Sequence, residues 1–394
     1  MKVVQINTVC GIGSTGRIAT DIHAALQAKG ITSHIMYGRG EARACDSAIK
    51  ISSNLDFYSH ALQTRLLDNH AFCSIKATQQ AIKILGELRP DIVHLHNIHG
   101  YYLNAEMLFF YLKQHPEIKV IWTLHDCWPF TGHCSYFDFC GCEKWKTQCF
   151  TCPQKNTYPA SKLLDNSRSN YKRKKLSFTG VENLTIVTPS RWLANLVKQS
   201  YLKNYPVQVV NNGIDLTIFN PRKSEFRSKY NVVDDFLIMG AATAWSPRKG
   251  FDDFIALAAM LPKSCKLVMV GLPLDKIKKL PSNIIGINRT DNPIELAKIY
   301  SAVDVFFNPT YEDNYPTVNL EAIACGTPVI TYNTGGSPES VSTKHGFVVD
   351  KKDLSSVVGI VEKLRLHPLD IQDVPVDFDK NVFIEKVMKT YFFD

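Results

Sequence analysis

The sequence has no apolar run long enough to cross a membrane. Its longest runs, such as Asp304-Val305-Phe306-Phe307, have the length of a strand, whereas a membrane helix needs roughly 20 residues. The first residues, 1–7, read as a strand and lack the apolar stretch and cleavage site of a signal peptide. Low-complexity tracts and short repeats are also missing. We therefore expect a soluble, cytoplasmic protein with ordinary folded domains.

Charge is distributed unevenly along the chain. The net charge is +8, and residues 1–185 carry 21 basic and 14 acidic side chains, against 24 and 23 in residues 186–394. A basic first half suits peripheral contact with an anionic membrane at the inner face of the cell, and equally an ordinary solvated surface. The run Lys172-Arg173-Lys174-Lys175 is interpreted as an exposed helix face. Because no aromatic-interleaved basic patch accompanies it, no nucleic-acid partner is expected.

The eleven cysteines are not spaced like a secreted disulfide scaffold. Five are scattered and are interpreted as small buried apolar residues: Cys10, Cys45, Cys73, Cys265 and Cys325. The other six lie within residues 127–152, where a Cys-x2-Cys pair follows earlier cysteines. These are ligand types of a structural four-thiolate zinc site, and free, partly buried thiols are the alternative.

Short β-branched segments alternate with helical segments along the whole chain. Strands are predicted at 3–7, 33–37, 92–95, 120–124, 185–188, 207–210, 236–241, 266–270, 284–286, 304–308, 328–332 and 346–349. Helices are predicted at 16–30, 77–88, 293–302 and 317–325, among others. This alternation predicts an α/β fold with two doubly wound, Rossmann-like domains of parallel sheet that face a central cleft. The predicted domains are 1–212, with a cysteine-rich insertion at about 127–160, and 213–377, followed by a helix at 378–394 that packs back on the first domain.

A glycine-rich loop follows the first strand. Gly11-Ile12-Gly13-Ser14-Thr15-Gly16 matches the dinucleotide fingerprint, in which backbone N–H groups and a helix N-terminus face a phosphate. A nicotinamide site also needs an acidic residue at the end of the second strand, where this chain has Tyr37-Gly38-Arg39-Gly40. Arg39 could bind the 2′-phosphate of NADP, so an NADP-dependent oxidoreductase stays an alternative. We favour a ligand-facing loop at Gly13, Ser14 and Gly16 that binds something other than a dinucleotide.

The most informative stretch is Tyr311 to Ala322, which follows a predicted strand. Pro316 fits the first position of a helix, Asp313 precedes that helix, and Glu321 lies about one and a half turns into it. Ligands bind at the carboxyl ends of strands in open α/β sheets, where a carboxylate suits ribose hydroxyls and a helix N-terminus suits phosphate. The alternative is that both carboxylates are helix-capping and surface groups.

Several motifs together resemble one enzyme family. They are Asp91 to His96, Thr188-Pro189-Ser190, Asn211 to Asp215, Lys249-Gly250, Asp313 to Ile330 and Gly335 to Glu339. In this order they are similar to the retaining glycosyltransferases of family 4, which have the GT-B fold, and within it to the bacterial exopolysaccharide and O-antigen, colanic-acid-type subgroup. The resemblance implies that 1–212 is the acceptor-side domain and that 213–377 binds the nucleotide sugar.

The resemblance also implies roles for individual residues. Glu321 is the second acid of an E-x7-E motif and holds ribose, Asp313 stands where the first acid is expected, and Lys249 neutralises the donor diphosphate. The family arginine six residues before that lysine is Thr243 here, with Arg248 as a substitute, and Pro316 replaces a glycine. Donor phosphates then depend on Lys249, on the N–H groups of Thr317 and Val318, and on Gly335-Gly336. In the first domain, the resemblance implies that His125 reaches the donor sugar and that His96, Asn97 and His99 are acceptor-side groups. The alternative is that these histidines are packed or hydrogen-bonded structural residues, as we expect for His94.

The implied activity is that of a hexosyltransferase. A UDP- or GDP-linked sugar is transferred with retention of configuration to a glycan or lipid-linked saccharide in surface polysaccharide biosynthesis, and no catalytic metal is required. Similar enzymes carry cysteines at the positions of Cys134, Cys142, Cys149 and Cys152, so these four are the expected zinc ligands. The alternatives are a sugar-nucleotide epimerase or hydrolase of the same fold, and the NADP-dependent oxidoreductase.

Overall fold

Two parallel β-sheets organise the chain, one in each of two units. The computed structural model describes residues 1–392. Unit 1 comprises Met1–Val210 and the C-terminal segment from Ile384, and unit 2 comprises Asn211–Phe383. The prediction of a GT-B-like α/β architecture with two parallel-sheet, Rossmann-like domains is confirmed. None of the helices within residues 1–392 combines the length and the apolar character that crossing a bilayer requires.

Unit 1 contains a seven-stranded sheet in the order β3-β2-β1-β4-β5-β6-β7. Its strands are β1 (Lys2–Asn7), β2 (Thr32–Tyr37), β3 (Ala48–Lys50), β4 (Ile92–Leu95), β5 (Lys119–Thr123), β6 (Leu184–Thr188) and β7 (Val207–Val209). Its helices are α1 (Gly13–Ala28), α2 (Asn54–Leu67), α3 (Ile75–Leu88), α4 (Ala105–Gln114), α5 (Ser167–Phe178) and α6 (Arg191–Gln199). The central strands are buried on both faces, as is usual for a parallel sheet covered by helices on both sides.

Unit 2 contains a six-stranded sheet in the order β10-β9-β8-β11-β12-β13. The strands are β8 (Phe236–Ala241), β9 (Cys265–Val270), β10 (Ile284–Ile287), β11 (Val305–Asn308), β12 (Val329–Tyr332) and β13 (Gly346–Val349). The helices are α7 (Phe226–Lys229), α8 (Phe251–Met260), α9 (Leu274–Ile277), α10 (Pro293–Tyr300), α11 (Thr317–Ala324) and α12 (Leu354–Leu366). A last helix, α13 (Lys380–Phe392), begins in unit 2 and continues into unit 1, where the Tyr391 hydroxyl lies 2.6 Å from His94 Nδ1.

Three local predictions differ from the structure. Strand β3 was not predicted, because three half-exposed residues carry too little periodicity. Helix α1 begins at Gly13, three residues before the predicted start, because the glycine-rich loop itself forms its first turn. The run at 172–175 is not a uniformly exposed face: Lys174 is buried and donates to the carbonyls of Trp128 and Thr131 at 2.9 and 3.1 Å.

Candidate functional site

The strands of unit 2 place Lys249 beside Asp313. Lys249 ends a 3-10 turn after β8, and Asp313 lies in the loop after β11. Because β8 and β11 are neighbours and parallel, both loops leave the same edge of the sheet. Lys249 Nζ donates to Asp313 Oδ2 at 2.6 Å, and both side chains remain partly exposed. This edge therefore carries a partly exposed ammonium–carboxylate pair.

Gly250 makes the turn at Lys249 possible. Its φ is +71°, and a Cβ at this position would lie 2.2 Å from the Pro309 carbonyl oxygen. A side chain there is excluded on both counts, because L-residues avoid this region and the space is filled by backbone. The glycine thus lets the Lys249 turn lie against the start of the loop that carries Asp313.

Both the side chain and the backbone of Arg248 are hydrogen-bonded to the backbone of the same loop. Its Nη1 donates to the Glu312 carbonyl oxygen at 2.9 Å, and its own carbonyl accepts from Tyr311 N at 2.9 Å. Glu312 is only 1% exposed, with Oε2 at 3.9 Å from Arg248 Nε. Arg248 therefore contacts the loop, and the buried Glu312 carboxylate lies beside the Arg248 guanidinium. Thr243, at the position of the missing arginine, is exposed.

The two glycines of the Gly335-Gly336 turn pack against the backbone of Asp313. Gly336 N donates to the Asp313 carbonyl oxygen at 3.0 Å. Gly335 has a φ of +56°, and a Cβ there would lie 2.0 Å from that same oxygen. The turn therefore holds the Asp313 backbone at close range, which only glycine permits.

Helix α11 starts one residue later than its sequence indicates. Pro316 has φ −71° and ψ 111°, and this extended ψ is not helical. Pro316 is therefore the N-cap and not the first helical residue. Thr317 and Val318 form the first turn, where N–H groups have no partner within the helix. Asn319 braces this turn by accepting from Asn308 Nδ2 at 2.8 Å and donating to Ser340 Oγ at 2.9 Å.

Glu321 lies in the second turn of α11 and is half-buried. Its Oε2 accepts from the Tyr300 hydroxyl at 3.2 Å. Burial first, and then the neighbouring Glu321 carboxylate, raise the pKa of Tyr300 well above its ordinary value, so this hydroxyl keeps its proton as a donor. Tyr300, which sequence reasoning missed, orients Glu321; it lies at the end of α10 with no motif to mark it.

The glycine-rich loop of unit 1 is closed by its own backbone. Gly11 N donates to the Gly16 carbonyl at 3.1 Å, and a Cβ on Gly11 would lie 2.1 Å from the Arg43 carbonyl oxygen. Gly16 is buried, whereas Gly13 and Ser14 are exposed at the first turn of α1. Contacts within the chain thus account for the glycines at positions 11 and 16, and Gly13 and Ser14 present the accessible helix N-terminus.

The histidines after β4 and β5 form a hydrogen-bonded series. Gln5 donates through Nε2 to the Ala19 carbonyl, so its Oε1, at 3.1 Å, accepts from His96 Nε2. His96 Nδ1 must then accept from His125 Nε2 at 3.2 Å. Burial lowers the pKa of His125 to about 4 and that of His96 well below its ordinary value. At neutral pH both rings are uncharged, with tautomers set by Gln5.

A second arrangement lies beside this series. Asp126 Oδ2 is 3.2 Å from His99 Nε2, and its Oδ1 accepts from Trp128 N at 2.9 Å. Burial opposes ionisation of Asp126, but the charge of His99 and its hydrogen bond hold its pKa below the ordinary value. His99 Nδ1 lies 3.2 Å from the Tyr158 hydroxyl. His94 is buried and hydrogen-bonded at both nitrogens, to Tyr391 and Thr123, as expected of a packed histidine. Asn97 is partly buried, and its carbonyl accepts from Tyr102.

The cysteine-rich segment encloses a small cavity lined by all four predicted zinc ligands: Cys134, Cys142, Cys149 and Cys152. A hydrogen bond joins Cys134 and Cys152 and lowers the pKa of Cys152 to about 7. Gly132 N donates to Cys149 Sγ at 3.2 Å. Exposed Cys140 bonds the Phe137 carbonyl instead. Four thiols are ligand types that suit zinc. Within residues 1–392, however, the potential ligand atoms that all lie within 4.8 Å of one another belong to a different group, His23, Cys45 and Asp46.

That second group corrects an interpretation of the sequence. Cys10 and Cys45 are 35 residues apart in the sequence yet interact with each other, and Cys45 is only partly buried. They are therefore not merely small buried apolar residues, whereas Cys265 and Cys325 are buried as expected. Only the fold, which brings the loop after β1 beside the segment before β3, reveals the pair.

Comparisons with known proteins agree with this architecture. The family described as "Glycosyltransferase Family 4" matches residues 15–218, and "Glycosyl transferases group 1" matches residues 222–380. Among solved structures, Anabaena HepE in complex with UDP superposes with a TM-score of 0.70 at 12% identity, over 100% of both chains. The fold is that of a GT-B glycosyltransferase.

The chain belongs to glycosyltransferase family 4 and is an enzyme of the hexosyltransferase type. An Escherichia coli K12 protein described as a colanic acid biosynthesis glycosyl transferase, WcaC, is 24% identical over 379 residues, which are 91% of this chain and 89% of that one. The N,N′-diacetylbacillosaminyl-diphospho-undecaprenol α-1,3-N-acetylgalactosaminyltransferase of Campylobacter jejuni is 26% identical over 238 residues, covering 55% and 62% of the two chains.

Proposed function

We propose that this glycosyltransferase moves a sugar from a UDP- or GDP-linked donor, with retention, to a glycan or lipid-linked acceptor in surface polysaccharide biosynthesis. The observation that carries the proposal is the partly exposed Lys249–Asp313 pair beyond the carboxyl ends of β8 and β11. The names of the relatives support it, since one binds UDP and one acts on a diphospho-undecaprenol acceptor.

Lys249 is proposed to bind the donor diphosphate. The C1–O bond to the nucleotide breaks with its electrons on the diphosphate, and Lys249, Arg248 and the N–H groups of Thr317 and Val318 stabilise that charge. The acceptor hydroxyl attacks C1 from the same face and its proton passes to the departing phosphate, so configuration is retained without an enzyme nucleophile. No catalytic metal is required. Asp313 holds the ammonium in place before the donor arrives.

The remaining predicted residues are proposed to surround the sugar and acceptor. Neutral His125 offers hydrogen bonds to the donor sugar, held in orientation by His96. Asn97 and His99 face the acceptor, and the N-terminus of α1 at Gly13 and Ser14 faces the donor. Gly335 and Gly336 serve the donor phosphates by positioning Asp313 as well as through their own backbone.

Glu321→Gln tests the ribose assignment. The amide keeps the size and the contact to Tyr300 but loses the charge, and a hydrogen bond to a charged group is worth about 1.5–3 kcal/mol. We expect the donor KM to rise about 10- to 100-fold with the melting temperature unchanged. Glu362→Gln, on the exposed face of α12, is the matched control. A donor KM within twofold of the wild type in Glu321→Gln would remove the ribose role.

We also propose a structural zinc ion at Cys134, Cys142, Cys149 and Cys152. These thiols line one cavity, and Lys174 packs beside it with Nζ 3.5 Å from the Trp128 ring. Zinc would replace the Cys134–Cys152 hydrogen bond with four thiolate bonds, and so hold the insertion at 127–160 in place.

Peripheral membrane contact is proposed at α2. Leu55, Tyr58, Leu62 and Leu66 are 82%, 68%, 58% and 37% exposed, and their spacing places them on one face of the helix. Leu164 N donates to the Leu66 carbonyl, and this second segment adds Leu163 and Leu164, 65% and 48% exposed. We name these six residues the apolar ridge.

Basic groups accompany the apolar ridge. Arg65 and Lys162 are exposed and joined through their backbones at 2.7 Å, and Lys155 Nζ lies against the Leu163 carbonyl. Nearby Asp56 and Asp165 are occupied by backbone N–H groups. Exposed leucines among cations suit insertion into an anionic bilayer, where lipid-linked acceptors lie.

Vesicle flotation tests this surface. Wild-type protein should float with vesicles that contain anionic lipid, because the leucines of the apolar ridge insert and the nearby cations bind headgroups. With vesicles of neutral lipid alone, the protein should remain in the bottom fraction. Leu55→Asp with Leu62→Asp should abolish flotation, whereas Leu366→Asp, an equally exposed leucine of unit 2, should not. Equal flotation of the ridge variant and the wild type would contradict the proposal.

A further inference from the structure

Three metal-ligating side chains meet in unit 1, on segments other than the one that lines the cysteine cavity. His23 lies on α1, and Cys45 and Asp46 lie in the segment before β3. Their ligand atoms all lie within 4.8 Å of one another, with His23 Nε2 at 3.4 Å from Asp46 Oδ1. Two ligands at about 2.0–2.1 Å from one tetrahedral zinc ion are roughly 3.3–3.4 Å apart, so this pair already has the required separation.

Cys10 lies beside Cys45 but outside this group of three. It is in the loop after β1, is fully buried and interacts with Cys45. A thiol, an imidazole and a carboxylate are all ligand types that zinc binds, and three of them leave one position of a four-coordinate ion for water. Because the three ligands come from α1 and from the segment before β3, the group arises from the fold and not from a local sequence motif.

The surrounding contacts orient the ligands. His23 is 1% exposed, and its Nδ1 lies 2.9 Å from Ser33 Oγ, which directs Nε2 toward Cys45 and Asp46. Asp46 Oδ1 also accepts from Gln27 Nε2 at 3.2 Å and Ser47 Oγ at 3.1 Å. Such outer contacts on a histidine and a carboxylate are usual in protein metal sites.

We propose that His23, Cys45 and Asp46 bind one zinc ion, at a site separate from the four-cysteine cavity. Binding releases the thiol proton of Cys45 to solvent and involves no redox step. The ion ties α1 to the segment at 38–46, against which the glycine-rich loop packs through Gly11 and Arg43. Its role is structural, since it fixes the loop that presents Gly13 and Ser14.

Metal analysis of the purified full-length chain separates the two sites. Wild-type protein should contain two zinc ions per chain, Cys45→Ser one, Cys149→Ser one, and the double variant none, while Cys265→Ser keeps two. Cobalt loaded into the Cys149→Ser protein should give thiolate-to-cobalt charge-transfer absorption that Cys45→Ser removes. Asp46→Asn, which changes a side chain that is 78% exposed and so leaves the fold intact, should weaken zinc affinity at least tenfold.

Two results would overturn this second site. One is an unchanged zinc content in Cys45→Ser relative to the wild type, measured on protein with a normal thermal transition. The other is a Cys10–Cys45 disulfide in freshly purified protein, detected by peptide mass under non-reducing conditions. Either result would leave the proposed transferase function standing, because that proposal rests on the Lys249–Asp313 pair of unit 2.

Discussion

Lys249→Ala is expected to lower kcat/KM for the nucleotide-sugar donor about 10²- to 10³-fold, the usual cost of removing one preorganised charge-stabilising group. The ammonium lies at the sheet edge where the leaving diphosphate would gain charge, and Thr243 offers no second cation there. Lys249→Arg should recover part of the loss, because charge is kept while geometry changes. Steady-state kinetics at several donor concentrations measures each effect.

The controls for Lys249 come from its surroundings. Lys298→Ala removes an exposed lysine of α10 and should leave kinetics unchanged. Asp313→Asn breaks the 2.6 Å pair without removing the cation, so its effect should be smaller than that of Lys249→Ala. A Lys249→Ala enzyme that retains a third or more of wild-type kcat/KM would refute the role assigned to this lysine.

Unit 1 is expected to lose stability steeply below pH 6.5. Burial lowers the pKa of His94 to about 3, and of His60 and His125 to about 4, and places those of His70 and His96 well below the ordinary value. The unfolded chain takes up these protons near pH 6.5. Stability from these histidines is therefore fully present above pH 6.5 and is lost as the pH falls toward their folded values.

The expected effect is large. Each such histidine costs about 2 kcal/mol between pH 7.5 and pH 5, and three of them cost about 6 kcal/mol, which is comparable with the whole stability of a domain. His23 and His133 have raised pKa values, so their contribution is lost as pH rises and does not offset the acid loss below pH 6.5. Urea unfolding followed by tryptophan fluorescence, from pH 7.5 to 5, measures the change.

A single variant isolates one of these protons. His60→Gln can still accept from Ala71 N, as His60 Nε2 does at 3.0 Å, but it cannot be protonated. The slope of unfolding free energy against pH should fall by about 1.4 kcal/mol per pH unit near pH 5. His115→Gln, a partly exposed residue, is the control. A wild-type unfolding free energy that is flat from pH 7.5 to 5 would contradict the neutral-histidine assignment.

The sequence predicts the sheets and the Lys249 motif well, because strand–helix alternation and turn residues are local signals. Lys249 and Asp313 were singled out separately, and only the adjacency of β8 and β11 explains why they touch. Tyr300 and Glu312 escaped prediction because their roles depend on burial and on partners more than 20 and 60 residues away. The same is true of Cys10 with Cys45, which no spacing rule connects.

Binding of free nucleotides tests the central claim most directly. Saturation-transfer NMR with UDP, GDP and NADP⁺ on the wild type and on Lys249→Ala reports which ligand the chain binds. The account predicts transfer to UDP or GDP ribose and base protons in the wild type, a strong loss of it in Lys249→Ala, and none to NADP⁺. Transfer to NADP⁺ alone, unaffected by Lys249→Ala, would contradict a nucleotide-sugar transferase with its donor site in unit 2.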